Sequence, residues 1–550
     1  MLFNSTIFIF FFLPFSFAIY FILGKFSKLL SLVSLIFVSS FFYAWQEPSC
    51  LLLIFASIFI NFLIAGFLCR PNLTKRLRFY AFVTGIFLNL GGLLYFKYFN
   101  FILSNISYLL GLKFQGAQNF LPLAISFFTF QQISFLISFY KRSTERCDFF
   151  TYSSSILFFP HLLAGPILNP IDLMPQFEGK STYKINSQNI AIGLTIFVIG
   201  LFKKVIIADS AATYVDAVFN AVDANKIPLF FEAWFGIFLF SFQIYFDFSG
   251  YSDMAIGLAR LFNIKFPINF NSPYKSASII AFWRNWHITL STFLRDNVYI
   301  PLGGTYFNKY RNLFFTMLIG GLWHGASWNF VIWGGLHGIY LIINHLIRDF
   351  KTRPALSYAM SSSKTSPNSF QQQMSFSKLS EIQNQISTRQ SNSSFVNLES
   401  SFLLFIKRTC IFLLVSLTWL FFRSTKFSTS ISMLKGLFGL NGVKFPKIFG
   451  GLNRFIVNEV DTVSIGFKAP FILSIVFFSI CMFLPSVYSW LIHYRPASGI
   501  NNKELSESNR LCLGIKHWKP TVFFAFIIVI LFCISFNGVD NVRQFIYYKF

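Results

Sequence analysis

Apolar residues along this chain come in long unbroken blocks, not at the spacing of an amphipathic surface helix. Residues 6–23, 29–45, 50–68 and 79–97 are each long enough, as helix, to cross a hydrocarbon layer of roughly 30 Å. Further runs lie at 118–139, 186–207, 228–248, 326–347, 402–422, 470–490 and 519–537. The pattern predicts an all-α polytopic integral membrane protein with about ten to twelve spans. The first run has no basic stretch before it and no small-residue cleavage site after it, so it reads as a retained helix and not a signal peptide. Residues 157–170, LFFPHLLAGPILNP, are too short and too rich in Pro and Gly for a clean span. They read as a re-entrant or interfacial segment with irregular backbone buried in protein.

Charge adds a topology. Lys25 and Lys28 follow the first run, Arg70, Lys75, Arg76 and Arg78 the third, and Lys141, Arg142 and Arg146 the fifth. These alternate ends are expected in the cytoplasm, with the N-terminus outside. The composition, 55% hydrophobic and 12% charged, excludes a soluble domain. The net charge of +25 resides in short stretches between apolar runs, with no basic face or nucleic-acid motif. It therefore points to the positive-inside effect and anionic lipid, and no nucleic-acid partner is expected. Residues 351–400 are rich in Ser, Gln, Asn and Lys and read as a disordered cytoplasmic insertion. It divides one membrane domain into 1–350 and 401–550. Three crossings after it place the C-terminus outside, although the basic residues of 423–468 run against that count. The seven Cys are scattered without a CxxC pair, so neither a disulfide framework nor a metal site is expected.

Candidate chemistry concentrates between Phe282 and Gly338, in FWRNWHITLSTFLRDNVYIPLGG and GGLWHGASWNFVIWGGLHG. Ionisable groups inside a membrane chain are costly and usually functional. On one helix, Trp283, His287 and Leu290 share a face, and Arg284, Ile288, Ser291 and Arg295 the adjoining one. Gly320 and Gly321 permit close backbone approach just before Trp323 and His324. An imidazole is a suitable base for a hydroxyl attacking a thioester, which makes His324 the candidate base. His287 is its companion, orienting substrate or donating to an oxyanion. Arg284, Trp286, Arg295, Asp296, Trp323 and Asn329 are the candidate substrate-binding residues. Structural readings take precedence elsewhere: His161 as a hydrogen-bonded core residue, and Asp247 and Asp253 as caps or ion-pair partners at a helix break. No HExxH, GxSxG or phosphate-loop signature is present.

The blocks LPLAISFFTFQ, FFPHLLAGPI, GLFKKVIIAD, YFDFSGYSDMAIG and WLFFRSTKFSTSISMLKGLFG, with the two His blocks, resemble the membrane-bound O-acyltransferases. The similarity is to the bacterial branch of alginate O-acetylase, which includes the peptidoglycan-acetylating and teichoic-acid D-alanylating proteins. The resemblance implies a multi-helix shell around a funnel or tunnel, with His324 as the essential catalytic residue and His287 as its companion. It implies acetyl-CoA as acyl donor with no bound cofactor, a polysaccharide as final acceptor and an extracytoplasmic accessory acyltransferase, at the bacterial cytoplasmic membrane. Phe545, Tyr547 and Phe550 fit an FxYxxF pattern, which by the same resemblance makes Tyr547 a transient acyl carrier. The alternatives are D-alanyl transfer to teichoic acid, acylation of a lipid, and a transporter without covalent chemistry.

Overall fold

Burial, more than length, divides the helices of this chain into two groups. The computed structural model describes residues 1–113, 116, 121–141, 148–362, 394–444, 453–454, 462–463, 465–499, 517–539 and 543–546. The first helices in chain order are α1 (Leu13–Phe26), α2 (Lys28–Ala44), α3 (Cys50–Leu68), α4 (Lys75–Leu93), α5 (Phe99–Leu110) and α6 (Ile125–Tyr140). Then come the short α7 (Phe149–Leu157), α8 (Phe159–Leu162) and α9 (Pro170–Glu178), followed by α10 (Ser187–Phe202), α11 (Asp209–Asp223) and α12 (Phe230–Leu261). The central helices are α13 (Ile279–Asn285), α14 (Ile288–Leu294), α15 (Lys309–His324) and α16 (Trp328–Ser362). The last are α17 (Ser394–Arg423), α18 (Phe427–Leu437), α19 (Lys468–Phe483), α20 (Val487–Trp490) and α21 (Val522–Phe536).

Among the described residues, six helical stretches are long and apolar enough to cross a membrane, and α2, α6, α19 and α21 are shorter apolar helices. The outer ones leave large side chains uncovered: Phe11, Phe87 and Phe523 are 70%, 72% and 67% exposed. Such faces are a liability in water but the expected surface against lipid. The chain is a polytopic, all-helical membrane protein, as its run pattern predicts. Helices α16 and α17 extend to Ser362 and from Ser394, into the segment expected to be disordered; residues 363–393 lie outside the described residues.

Helix α12 is the opposite case, buried at every residue from Leu239 to Leu261. The helix break expected at Asp247–Asp253 does not occur; α12 passes through it. A Cβ on Gly200 would lie 2.6 Å from the Gly250 carbonyl oxygen, so α10 and α12 meet backbone to backbone. The carboxylates pair with lysines instead of capping a helix. Asp247 meets Lys204 at 2.7 Å and Asp253 meets Lys203 at 2.6 Å, and Tyr488 donates its hydroxyl to Asp253 at 2.5 Å. Both lysines lie on a π-helical turn, Lys203–Ala208, that joins α10 to α11. With the charges compensated in pairs, α12 continues unbroken through a buried interior. The segment His161–Leu168 is buried throughout, in keeping with irregular backbone held inside protein.

Candidate active site

Two helix ends and one backbone hinge assemble the site. Helices α15 and α16 touch one turn before His324: a Cβ on Gly321 would fall 2.3 Å from the Phe330 carbonyl oxygen, and one on Gly334 2.4 Å from that of Met317. Helix α15 stops at His324, where Gly325 turns extended. A helix end leaves its last carbonyls without intrahelical partners. Here Tyr98 donates its hydroxyl to the Leu322 carbonyl at 2.7 Å. Lys97 Nζ donates to the Trp323 carbonyl at 2.6 Å, to Ser126 Oγ at 3.1 Å and to the His324 carbonyl at 3.4 Å. A cation at a helix C-terminus also complements its dipole. Lys97 and Tyr98 both come from the π-helical turn Leu94–Tyr98.

Lys97 is absent from the sequence-based candidates because the apolar run 79–97 ends at it. The helical stretch in fact continues to Leu110. A lysine inside a span was itself the available signal.

His324 is 3% exposed and its ring is boxed by Trp323, Trp333 and Phe422, with ring centroids 4.9, 5.1 and 5.1 Å away. A cleft of about 80 Å³ reaches it, walled by Lys97, Ser126, Leu163 and Trp323. The His287 ring is buried 6.5 Å from that of His324, with Trp323 packed on both.

The single amphipathic helix expected around His287 is corrected by the structure. His287 is a hinge between α13 and α14, at φ 42° and ψ 54°. A left-handed conformation is uncommon for a residue with a side chain and is held here by its surroundings. Asn269 Oδ1 lies 3.1 Å from His287 Nδ1 and also accepts from Thr289 Oγ1 at 3.0 Å. Its Nδ2 donates to Ser252 Oγ at 3.2 Å. An accepting oxygen at Nδ1 makes that nitrogen the protonated one and leaves the basic lone pair on Nε2. Asn269, in a polar loop, carried no distinguishing sequence pattern.

The hinge also redirects the charged candidates. The buried face of α14 is Thr289, Leu290, Phe293 and Leu294. Arg295 and Asp296 therefore point outward and pair with each other at 2.7 Å, their side chains 59% and 45% exposed. Arg284 is exposed as well. The structure does not bring these three to the histidines. Trp286 is fully buried against Phe282 and Trp419, one ring further out than Trp333. Asn329 is buried: its Nδ2 donates to the Ser424 carbonyl at 2.9 Å, while its Oδ1 has no protein partner among the described residues.

Two other histidines are tied into structure. His161 Nε2 donates to the Ser155 carbonyl at 3.0 Å, which leaves Nδ1 to accept from Gln131 at 3.1 Å. His337 Nε2 donates to Thr418 Oγ1 at 2.9 Å, and its Nδ1 accepts from Trp283 Nε1 at 3.3 Å. With both ring nitrogens engaged, neither is placed to exchange a proton with a substrate.

The C-terminal segment docks on the far side of His287. Arg543 meets Asp216 at 2.7 Å, and the Ile546 N–H donates to Asp247 Oδ2 at 2.9 Å. The Phe545 ring is buried against Tyr251 at 4.7 Å and Phe248 at 5.6 Å, and Phe248 meets the His287 ring edge-on at 4.7 Å. Tyr547 and Phe550 lie outside the described residues.

Residues 116–364 match the family model described as MBOAT, the membrane-bound O-acyltransferase family. The chain is 36% identical to a peptidoglycan O-acetyltransferase of Helicobacter pylori, over its full length and 98% of that protein. It is 40% identical to a probable alginate O-acetylase of Pseudomonas aeruginosa, over 63% of this chain and 66% of that one. It is 30% identical to a teichoic acid D-alanyltransferase of Bacillus subtilis, over 34% of this chain and 49% of that one.

Proposed function

The chain belongs to the membrane-bound O-acyltransferase family, and from that premise we propose that it carries an acetyl group from cytoplasmic acetyl-CoA across the bacterial cytoplasmic membrane for O-acetylation of a cell-envelope polysaccharide. Its activity as an O-acyltransferase follows from the family. The observation that carries the finer reading is the His324–His287 pair, enclosed by aromatic rings beside a cleft. Peptidoglycan is the favoured acceptor, because the relative that matches end to end is named for it.

In this reading His324 takes the proton of an attacking hydroxyl. The hydroxyl oxygen bonds to the thioester carbonyl carbon, the C–S bond breaks, and the proton returns to the departing thiolate. The aromatic box keeps water from competing for the acyl group. The lone pair on His287 Nε2 makes it a second proton acceptor at the same site.

The docked tail supports Tyr547 as the first acceptor. The residue before it in the chain, Ile546, has its N–H held by Asp247. A phenol, with a pKa near ~10, needs base assistance to attack and still leaves readily afterwards. The acyl-phenol ester then passes to an extracytoplasmic accessory acyltransferase and on to polysaccharide.

The test is mass spectrometry of the C-terminal peptide after the purified protein is incubated with acetyl-CoA alone. An acetyl adduct on Tyr547 is expected, and it should be missing from a His324→Gln control. Acetyl reaching polysaccharide in a Tyr547→Phe variant would sink the carrier step and leave the donor standing. An alanyl adduct carried over from cells would replace this reading with D-alanyl transfer.

Lys97 has a positioning role in the same scheme. Lys97→Met should lower turnover by about a hundredfold with KM for acetyl-CoA little changed, since a shift of about 1 Å at the base is enough. Lys97→Arg should recover part of the loss. Initial rates across donor concentration check this, and an equal fall in affinity would place Lys97 in donor binding instead.

A further inference from the structure

At the C-terminal end of α12, seven residues beyond Asp253, Arg260 is 5% exposed, and its Nε and Nη1 are buried without a protein acceptor among the described residues. Lys265 is flanked by two charged neighbours, Arg260 and Arg495. Burial first, then Arg260 and Arg495, lower the Lys265 ammonium below its ordinary pKa. Among the described residues no carboxylate pairs with any of the three. Buried polar groups are normally satisfied, and a buried guanidinium is especially costly to leave without an acceptor.

The surrounding backbone is fixed. Gln176 brackets Lys265, accepting from its N–H at 2.8 Å and donating to its carbonyl at 3.0 Å. The Ser498 N–H donates to the Phe266 carbonyl at 2.9 Å, which ties the Arg495 turn to the same loop.

Packing places the cluster on the expected cytoplasmic side. Phe262 packs on Tyr20 of α1 at 5.2 Å, close to the basic end at Lys25 and Lys28. Asn263 donates to the carbonyls of Thr182 and Lys184 at 3.0 and 2.7 Å, and Gly24 faces Tyr183. The same loop leads to the active site. From Lys265 to Asn269, which holds His287, the chain spans at most about 14 Å.

We infer that Arg260, Lys265 and Arg495 form a phosphate-binding site on the cytoplasmic face, built to receive a phosphate-bearing ligand. A guanidinium with open donors beside two further cations matches phosphate in charge and in forked geometry. The thioester donor is the expected carrier of that phosphate, bound at one end of a loop whose other end holds His287. That assignment rests on the acetyl-CoA reading, whereas the phosphate site itself does not. The other source of the same chemistry is an anionic lipid headgroup.

The test uses the full chain in uncharged detergent, with coenzyme A lacking any acyl group as the probe and calorimetric binding as the readout, so that no transfer is required. Arg260→Met should weaken coenzyme A binding by about ten- to hundredfold, the size of a lost charged hydrogen bond. Adenosine 3′,5′-bisphosphate should compete in the unaltered protein and lose its effect in the variant. Lys265→Met with Arg495→Ala, at less buried positions, should weaken binding in the same direction and serves if Arg260→Met misfolds. Unchanged coenzyme A affinity with lost retention of phosphatidylglycerol, read by native mass spectrometry, assigns the phosphate to lipid. If neither ligand responds, the site is overturned, and an acetyl adduct on Tyr547 in that same variant would show that the transfer reading survives it.

Discussion

His324→Gln should lose acyl transfer by about 10²–10⁴-fold, the usual contribution of a positioned general base, while the protein still folds. Glutamine is preferred to alanine because the ring fills a box of Trp323, Trp333 and Phe422, and truncation there would open a cavity. The checks are single-turnover acetyl release from acetyl-CoA and the thermal midpoint in detergent. A variant that folds and transfers within a few-fold of the parent removes His324 from the chemistry.

His287 requires a different substitution. Its left-handed backbone is one that asparagine also adopts readily. His287→Asn therefore separates loss of the ring from loss of the hinge. A smaller fall than for His324 is expected if His287 assists and does not act as the main base.

Lys204→Met should destabilise the protein by about 3–5 kcal/mol, the cost of stranding a buried charge. The Lys204 side chain is 5% exposed and holds Asp247 at 2.7 Å and Asp209 at 2.8 Å, and the Asp247 side chain is 1% exposed. Both carboxylates lose their cation together. The effect should reach the site, because Asp247 also carries the Ile546 N–H. A lowered thermal midpoint, with faster proteolysis of the C-terminal residues, is the expected result. The double variant Lys204→Met with Asp247→Leu should regain much of the stability, since apolar groups of similar volume often replace a buried pair at no cost. Its tail should stay loose. A Lys204→Met protein as stable as the parent would mean that these carboxylates are solvated in solution.

Much was legible without coordinates. The apolar runs by themselves determined a polytopic all-helical membrane protein, because backbone groups in lipid must be satisfied within each segment. The two His blocks marked the region of the candidate site, because ionisable residues are rare at such depth. The glycines before His324 forecast the close contact of α15 with α16. What the chain order could not reveal depends on partners distant in sequence. Run-based reading stops the span 79–97 at Lys97, and it carries the run 186–207 past Lys204 without finding that residue a partner. In the fold each is compensated, Lys97 by carbonyls on α15 and Lys204 by a carboxylate on α12, and the helices carry on through them. Helical periodicity assumes one continuous helix, so it placed Arg284 and Arg295 on the face adjoining that of His287. The left-handed turn at His287, held by Asn269, sends them outward. The sequence alone determined which residues are too polar for lipid; only the tertiary structure decided which of them face one another, because burying a charge depends on the partner that the packing brings to it.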